Sequence, residues 1–340
     1  MKQLSIIIPV YQVEKYVRPC LESVFRQGLD EDCFEVIIVD DGSTDNSMNS
    51  IADLISSHPN ISVITQKNQG LSVARNNGLA KATGEYVIMP DSDDLLIDNS
   101  LQPLLEKAIS SKVDLIVADF MEMYDEEIEA RKDVSQKPIA FEEKTGEELF
   151  LNDLNPYQCY VWRTLFRRDF LIKQRLTFVH GVFFQDVPFT HECYLKAKKC
   201  LRTHWLLNIY RHRHESATKG RFTLKKAKDF SIVIAKTWEL KRLPGLSNKI
   251  QEKLMNDVFI SFSSFFYSSS HDLRKVAERT EAMAFLKQQA PNLKFTNGKK
   301  QQFTSFMLKH FPLLFIHIRH YYGFLLEDHL FPFLRKLKKK

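Results

Sequence analysis

Glycine is scarce in this sequence, at 11 of 340 residues, and its five cysteines form no Cys-any-any-Cys pair. Such a low glycine content argues against a propeller or another array of repeated tight β-turns, because those turns use backbone angles that glycine adopts most cheaply. The cysteine number is odd and no Cys/His spacing suits zinc. Cys20, Cys33, Cys159, Cys193 and Cys200 are therefore expected as reduced thiols. Internal repeats and low-complexity tracts are also missing. The aromatic C-terminal stretch is interrupted by charges well short of the ~18–20 apolar residues that a membrane span requires. The sequence opens directly on a strand pattern, Leu4–Pro9, after a single Lys and without a small-residue cleavage site. On that basis the chain is expected to stay in the cytoplasm.

Hydrophobic residues make up 44% and charged residues 26%, the balance of a packed globular chain with one large domain or two modest ones. The net charge of +6 is unevenly spread. Asp119–Glu143 is acidic and is expected as a surface segment or insertion. Arg335–Lys340 holds five basic residues in six. Four short, β-branched apolar runs recur along the N-terminal third: Leu4–Ile8, Phe34–Val39, Ile61–Thr65 and Glu85–Met89. Their length and composition predict buried strands. Helical spacing is predicted between them over Glu14–Gln27, Ser47–Ser57 and Ser72–Ala82, with a further helix over Asn99–Ser111 and a strand over Asp114–Ala118. This alternation predicts βαβ units, hence an α/β, Rossmann-like, mostly parallel sheet with helices on both faces. Ligands of such sheets bind beyond the carboxyl ends of the strands.

The residues in those places are distinctive. Pro9-Val10-Tyr11 follows the first strand and Asp40-Asp41-Gly42-Ser43 the second. Asn68-Gln69-Gly70 follows the third and leads into Ala74-Arg75-Asn76. Asp91-Ser92-Asp93-Asp94 follows the fourth, expected as a strand-to-helix turn. Three carboxylates in four residues repel one another unless a cation joins them, and oxygen ligands suit Mg²⁺ or Mn²⁺. The same triplet is also compatible with helix capping. Gly42 would let the backbone approach a ligand closely. Arg75 is either a phosphate partner or a surface residue.

Taken together and in order, these four segments resemble the signature of the family 2 glycosyltransferases, which have the GT-A fold. The likeness covers residues 1 to about 120 and weakens towards 220. It implies a nucleotide-sugar site, with Pro9, Val10, Tyr11, Asp40 and Asp41 at the base and Asp41 as its main contact. It further implies Asn68, Gly70 and Arg75 near ribose or diphosphate, Asp91 and Ser92 beside the sugar and ribose, and Mn²⁺ or Mg²⁺ on Asp93 and Asp91. In the acceptor half the family carries a Glu-Asp pair whose Asp is the base. Here the matching step is Gln185-Asp186, which implies Asp186 as base and leaves Gln185 beside the acceptor with one charge fewer. Asp186 ahead of Val187-Pro188 would also cap a helix. The segment Tyr210–Thr218 resembles the family's aromatic-basic loop, whose cations would neutralise the diphosphate leaving group and in which His212 or His214 would also reach the metal. Trp162 would stack on an acceptor sugar or lie in the core.

The expected organisation is a GT-A catalytic domain over 1–220, with a nucleotide-sugar-binding half (1–120) and an acceptor half (121–220). A helical C-terminal region over 221–340 follows. The resemblance implies an inverting transfer from a nucleotide-sugar, by expectation a UDP-sugar, to a saccharide or lipid-linked saccharide. Gln185 alone favours the alternative of a weakly active partner in a polysaccharide assembly complex. A sugar-phosphate nucleotidyltransferase would need a Gly-rich, Arg-containing loop where Tyr11-Gln12-Val13-Glu14 stands. Aromatic and basic residues mixed near the C-terminus suit an interfacial helix on an anionic leaflet, and equally a helical subdomain with a solvated tail. The former implies a peripheral position on the inner face of the cell membrane. Nucleic-acid binding would rest on the basic tail alone and is not expected.

Overall fold

The computed structural model describes residues 2–130, 134, 136, 138–212 and 221–325. The chain forms two compact units, Met1–Gly181 with Phe189–Ala217, and Val182–Pro188 with Thr218–Lys340.

The strands are β1 (Leu4–Val10), β2 (Phe34–Asp40), β3 (Ile61–Thr65), β4 (Tyr86–Ile88), β5 (Leu95–Leu96), β6 (Leu115–Tyr124), β7 (Glu142–Lys144), β8 (Thr164–Arg167) and β9 (Cys200–His212). Among the described residues they make one nine-stranded sheet in the order β3-β2-β1-β4-β8-β6-β9-β5, with β7 also on β9. The β3-β2-β1-β4 half is parallel throughout, as the βαβ alternation predicts. β8 runs antiparallel to both β4 and β6, and β9 is parallel to β6. Leu4, Ile6, Ile8 and Val10 point into one core together with Leu21, Val24, Val36 and Ile38. Ile7 points to the other face. There a Cβ added at Gly78 would run into its Cγ2, so that glycine lets a helix lie against β1.

The accompanying helices are α1 (Val17–Val24), α2 (Ala52–Ser57), α3 (Leu71–Lys81), α4 (Leu101–Ser111), α5 (Asp125–Ala130), α6 (Gly146–Asn152), α7 (Arg168–Lys173) and α8 (Asp186–Lys196). α1 is shorter than the Glu14–Gln27 spacing predicts. The backbone N–H groups of Val13 and Glu14 donate to Ser47 Oγ (2.8 Å) and Asp45 Oδ2 (3.1 Å), so the chain ahead of the helix is tied to the loop after β2. The helix expected over Ser47–Ser57 is a 3₁₀ turn, Asn49–Ile51, followed by α2. Asp119–Glu143 is not a mere surface insertion. β6 continues through it to Tyr124, pairing with β9 after bulges between Val117 and Phe120. The charge of Asp119 is met there by Arg163, Arg202 and His204. Burial alone would raise its carboxyl; hydrogen bonds from His204 and the two guanidiniums outweigh that and hold it below the usual carboxylate range.

The second unit holds α9 (Leu224–Glu239), α10 (Asn248–Asp272), α11 (Val276–Gln289), α12 (Gly298–His310) and α13 (Pro312–Leu325). Thr223 and Ser247 cap the first two by accepting from Lys226 N and Ile250 N. Its core gathers Trp238, Phe262, Phe265 and Phe295, and α13 joins it through Ile316 and through Phe315 stacked on Phe266 at 4.3 Å. Among the described residues no helix is long and apolar enough to cross a membrane.

Candidate active site

Register brings the strand ends of the first unit together: Val10 pairs with Asp40 and Asp40 with Thr65. Pro9 and Val10 are buried within β1, while Tyr11, just past it, is 47% exposed. Gln12 follows in the left-handed region (φ 54°) and donates to Thr44 Oγ1 at 2.7 Å. Strain of this kind costs a non-glycine residue about 1 kcal/mol or more.

Asp40 accepts from Ser43 N (2.9 Å). Asp41, expected as the main base contact, is buried. Its carboxylate accepts from Gln66 Nε2 (2.7 Å), Gln69 N (2.8 Å) and Gly70 N (2.8 Å). It thereby holds the loop carrying exposed Asn68 and the Gly70 that opens α3, and a base contact through Asp41 would compete with three hydrogen bonds. Gly42 is also reassigned. At φ 76°, its added Cβ would meet Asn68 N at 3.0 Å and Gln66 O at 3.1 Å. Its close neighbour is the chain's own loop, not a ligand.

Asp91–Asp94 joins β4 to β5 and is therefore a strand-to-strand turn, not the expected strand-to-helix turn. Asp94 N bonds Asp91 O at 3.1 Å, and Ser92 is buried inside the turn. One carboxylate oxygen from each of Asp91, Asp93 and Asp94 lies within 4.8 Å of the others. An all-oxygen, triply anionic cluster of this kind fits a hard divalent cation such as Mg²⁺ or Mn²⁺. The buried Cys20 thiol donates to Asp91 O (3.5 Å). Burial pushes its pKa well up, and the charges of Asp94, Asp93 and Asp91 push further.

Two arginines hold this turn from within. Arg75, expected at the ribose or diphosphate, is 0% exposed. Its Nη2 donates to Asp91 Oδ1 at 2.6 Å, and its guanidinium lies 5.4 Å from the Phe178 ring centre. Asn76 locks Phe178 by pairing with its backbone N and O, both at 2.9 Å. Arg75 therefore acts on the ligand edge through Asp91. Arg211, expected only as one of the diphosphate-facing cations of the Tyr210–Thr218 segment, is bonded to the turn itself. Its backbone N donates to Asp94 Oδ1 (2.9 Å), its Nε to Asp93 O (2.9 Å) and its Nη1 to Asp125 Oδ1 (2.6 Å). The signal that would have found that contact is the pairing of β5 with β9, Leu95 opposite Ile209, which sets Arg211 beside the turn. β5 is only two residues long, too short to be seen in an apolar pattern.

Trp162 has no face for a sugar. It is 1% exposed, with Tyr160 stacked on it at 4.8 Å and Phe120 edge-on at 4.9 Å. Tyr210 completes that group, its phenol pushed up to about 12 by burial, then by Tyr160 and the carboxylates of the turn. His212 pairs with Glu122 Oε2 at 2.9 Å. His214 lies outside the described residues.

Gln185 and Asp186 belong to the second unit. Asp186 is the first residue of α8, with Pro188 in its first turn. The buried Gln185 amide donates to Asp186 Oδ1. Phe184, immediately before, has φ 62° and is held by stacking on Phe230 at 4.6 Å. A left-handed phenylalanine is strained and persists only where packing enforces it.

A parallel α/β half-sheet with a carboxylate turn at its ligand edge defines the GT-A class, and solved structures agree on the fold. S. aureus TarS 1–349, solved with UDP, superposes with a TM-score of 0.70 at 21% identity, covering 94% of this chain and 92% of that one. The mannosyltransferase PcManGT from Pyrobaculum calidifontis, solved with GDP-Man and Mn²⁺, gives 0.54 at 14% identity, covering 96% and 88%. Residues 5–173 match Glycosyl transferase family 2, and through this domain the chain belongs to that family. Curated relatives include the uncharacterized glycosyltransferase EpsJ of Bacillus subtilis, 30% identical over 64% of this chain and 63% of that protein. YibD of Escherichia coli, also an uncharacterized glycosyltransferase, is 30% identical over 61% of each. The chain thus spans less than two thirds of these two relatives' length, at 63% and 61%.

Proposed function

We propose that this chain transfers a sugar from a nucleotide-sugar, by preference a UDP-sugar, to a hydroxyl of a saccharide or lipid-linked saccharide, with inversion at the anomeric carbon. The observation that carries the reading is the carboxylate cluster of Asp91, Asp93 and Asp94 at the carboxyl edge of the parallel half-sheet. The UDP bound to TarS supports the choice of nucleotide, and the Mn²⁺ beside GDP-Man in PcManGT supports a divalent ion.

Asp93 and Asp91 would hold Mn²⁺ or Mg²⁺, and such an ion supplies positive charge against the diphosphate. Tyr11 offers an exposed ring for the base. Asp186 takes the proton from the attacking hydroxyl, and the nucleoside diphosphate leaves from the opposite face of the sugar. The logic is that of inverting sugar chemistry with a carboxylate base. Gln185 keeps a hydrogen bond on Asp186 without a second negative charge. The acceptor reading places the enzyme peripherally at the inner face of the cell membrane.

The test is nucleotide release from UDP-, GDP- and TDP-sugars with Mn²⁺, Mg²⁺ or EDTA, beside Asp93→Asn and Asp186→Asn. Metal-dependent release from one donor, lost in both variants, is expected. Turnover that survives Asp186→Asn would remove the assigned base. Donor binding with no turnover even when lipid-linked saccharide is supplied would favour the weakly active partner. Product NMR showing a retained anomeric configuration would overturn inversion.

A further inference from the structure

Among the described residues, α12 and α13 leave an apolar stripe uncovered. Phe311, Leu314, Ile318 and Tyr321 are all exposed, Leu314 and Ile318 at 53% each. Their three-, four- and three-residue spacing puts them on one line of α13 and the residue before it. On α12, Phe303 and Phe306 are exposed in the same way, at 58% and 52%. The two lines join where the helices meet: Phe306 lies 6.0 Å from Phe311, and Phe303 lies 6.3 Å from Phe315, between ring centres. The opposite side is covered, with Gln301, Thr304, Leu308 and Ile316 buried. A contiguous exposed stripe of this kind marks an interaction surface.

The charges around it select the partner. From Ala282 to Leu326 the sequence contains no Asp or Glu, whereas α12 and α13 carry Lys299, Lys300, Lys309 and Arg319. Arg335, Lys336 and Lys338–Lys340 follow in the sequence. A second copy on the same stripe would bring cation against cation. A helix of 14 residues is too short to span a bilayer, and no helix among the described residues meets the need. It is long enough to lie in the plane of the interface, with aromatics and leucines at the acyl boundary and lysines among the headgroups.

We propose that α12 and α13 form a membrane-docking surface for an anionic phospholipid leaflet, with Phe306, Leu314 and Ile318 inserted and Lys299, Lys300 and Lys309 on the headgroups. This goes further than a general peripheral attachment, because it names the surface and assigns it a lipid. It uses none of the residues assigned to the transfer chemistry, so either proposal can fail alone.

The experiment is co-sedimentation of the full chain with vesicles of mixed phosphatidylglycerol and phosphatidylcholine, against pure phosphatidylcholine. Binding only to the anionic vesicles, weakened by salt, is expected. Leu314→Ser and Ile318→Ser should each weaken it about tenfold. Reversing Lys299, Lys300 and Lys309 to Glu should cost about fivefold or more per site. All five substituted positions are exposed, and thermal unfolding checks that each variant is folded. Asp93→Asn should sediment like the parent, which separates lipid binding from turnover. The proposal is overturned if the parent ignores anionic vesicles, or if the serine and glutamate variants bind as the parent does. It is also overturned if the stripe variants instead dissociate a dimer that has no vesicle binding, since the stripe would then belong to a second copy.

Discussion

The turn Asp91–Asp94 and the step Gln185-Asp186 both present acidic groups for chemistry, but they are held in different ways. The turn is fixed by partners far away in the chain: Arg75, Cys20 and, more than a hundred residues on, Arg211. At Asp186 the sequence neighbours take part: the Gln185 amide donates to its carboxylate, the Phe184 carbonyl accepts from Val187 N, and α8 starts at Asp186 itself. A carboxylate cluster needs the distant cations, because three negative charges this close would otherwise open the turn before any metal arrived. A single carboxylate beside a neutral amide has no such repulsion to overcome.

The largest expected effects separate the two regions by what they lose. Asp93→Asn should lower transfer by about 10²–10³-fold together with Mn²⁺ binding, read by the EPR signal of free Mn²⁺. Asp186→Asn should lower transfer by about 10²–10⁴-fold and leave Mn²⁺ binding as it was. If both variants bind the ion equally well, the division of labour between the two sites is wrong.

Arg211→Lys sharpens the comparison from the side of the turn. Lysine keeps the charge but cannot bridge Asp93 O and Asp125 Oδ1 together. Mn²⁺ affinity should weaken by about 10–100-fold, the usual cost of disturbing an outer partner of a metal ligand. Asp125→Asn should have a smaller effect in the same direction. Parent-like affinity in Arg211→Lys would mean that charge alone, not geometry, preserves the turn.

Gly78→Ala probes the packing beneath the site. Alanine favours a helix by about 1 kcal/mol, yet its Cβ would collide with Ile7 in the parallel half-sheet. A net loss of about 1–3 kcal/mol is expected in thermal unfolding; a raised melting temperature would show that α3 is not pressed onto β1.

The smallest effect belongs to the second unit. Burial, then Arg279, then His320 hold His317 below its ordinary value of 6.5. The folded state therefore takes up a proton here less readily than the unfolded chain, which protonates at the ordinary value. Its contribution to stability is complete above pH 6.5 and declines as pH falls below it. Melting temperature should drop on acidification, less steeply in His317→Gln; equal slopes would remove His317 as a cause.

Much of the first unit was legible before any coordinates. β3 coincides with its apolar run, and β1 and β2 extend theirs only slightly past the end, to Val10 and Asp40. Buried parallel strands such as β1 and β2 are continuous apolar runs, so their pattern is strong; β3, predicted buried, lies at the sheet edge and none of its five residues is buried. The short β5, the extension of β6 and the pairing of β9 were not legible, because each depends on which strand lies alongside. Trp162 illustrates the limit for single residues. A tryptophan reads alike whether it faces a sugar or a core, and only Tyr160 and Phe120 packed against it decide which.

By itself the sequence determined the α/β alternation, the four strand-end segments with their carboxylates, the Gln185-Asp186 step and the cation-rich aromatic end. Each is local, written in a few consecutive residues or in a period of two or three to four. Tertiary structure alone decided that Arg75 is buried under Asp91, that Arg211 fastens the carboxylate turn, and that Asp41 and Gly42 serve the loop at 66–70. It also decided which side of α12 and α13 stays uncovered. These outcomes depend on what approaches across the fold, because hydrogen bonds and packing act over a few ångströms of space however many residues lie between.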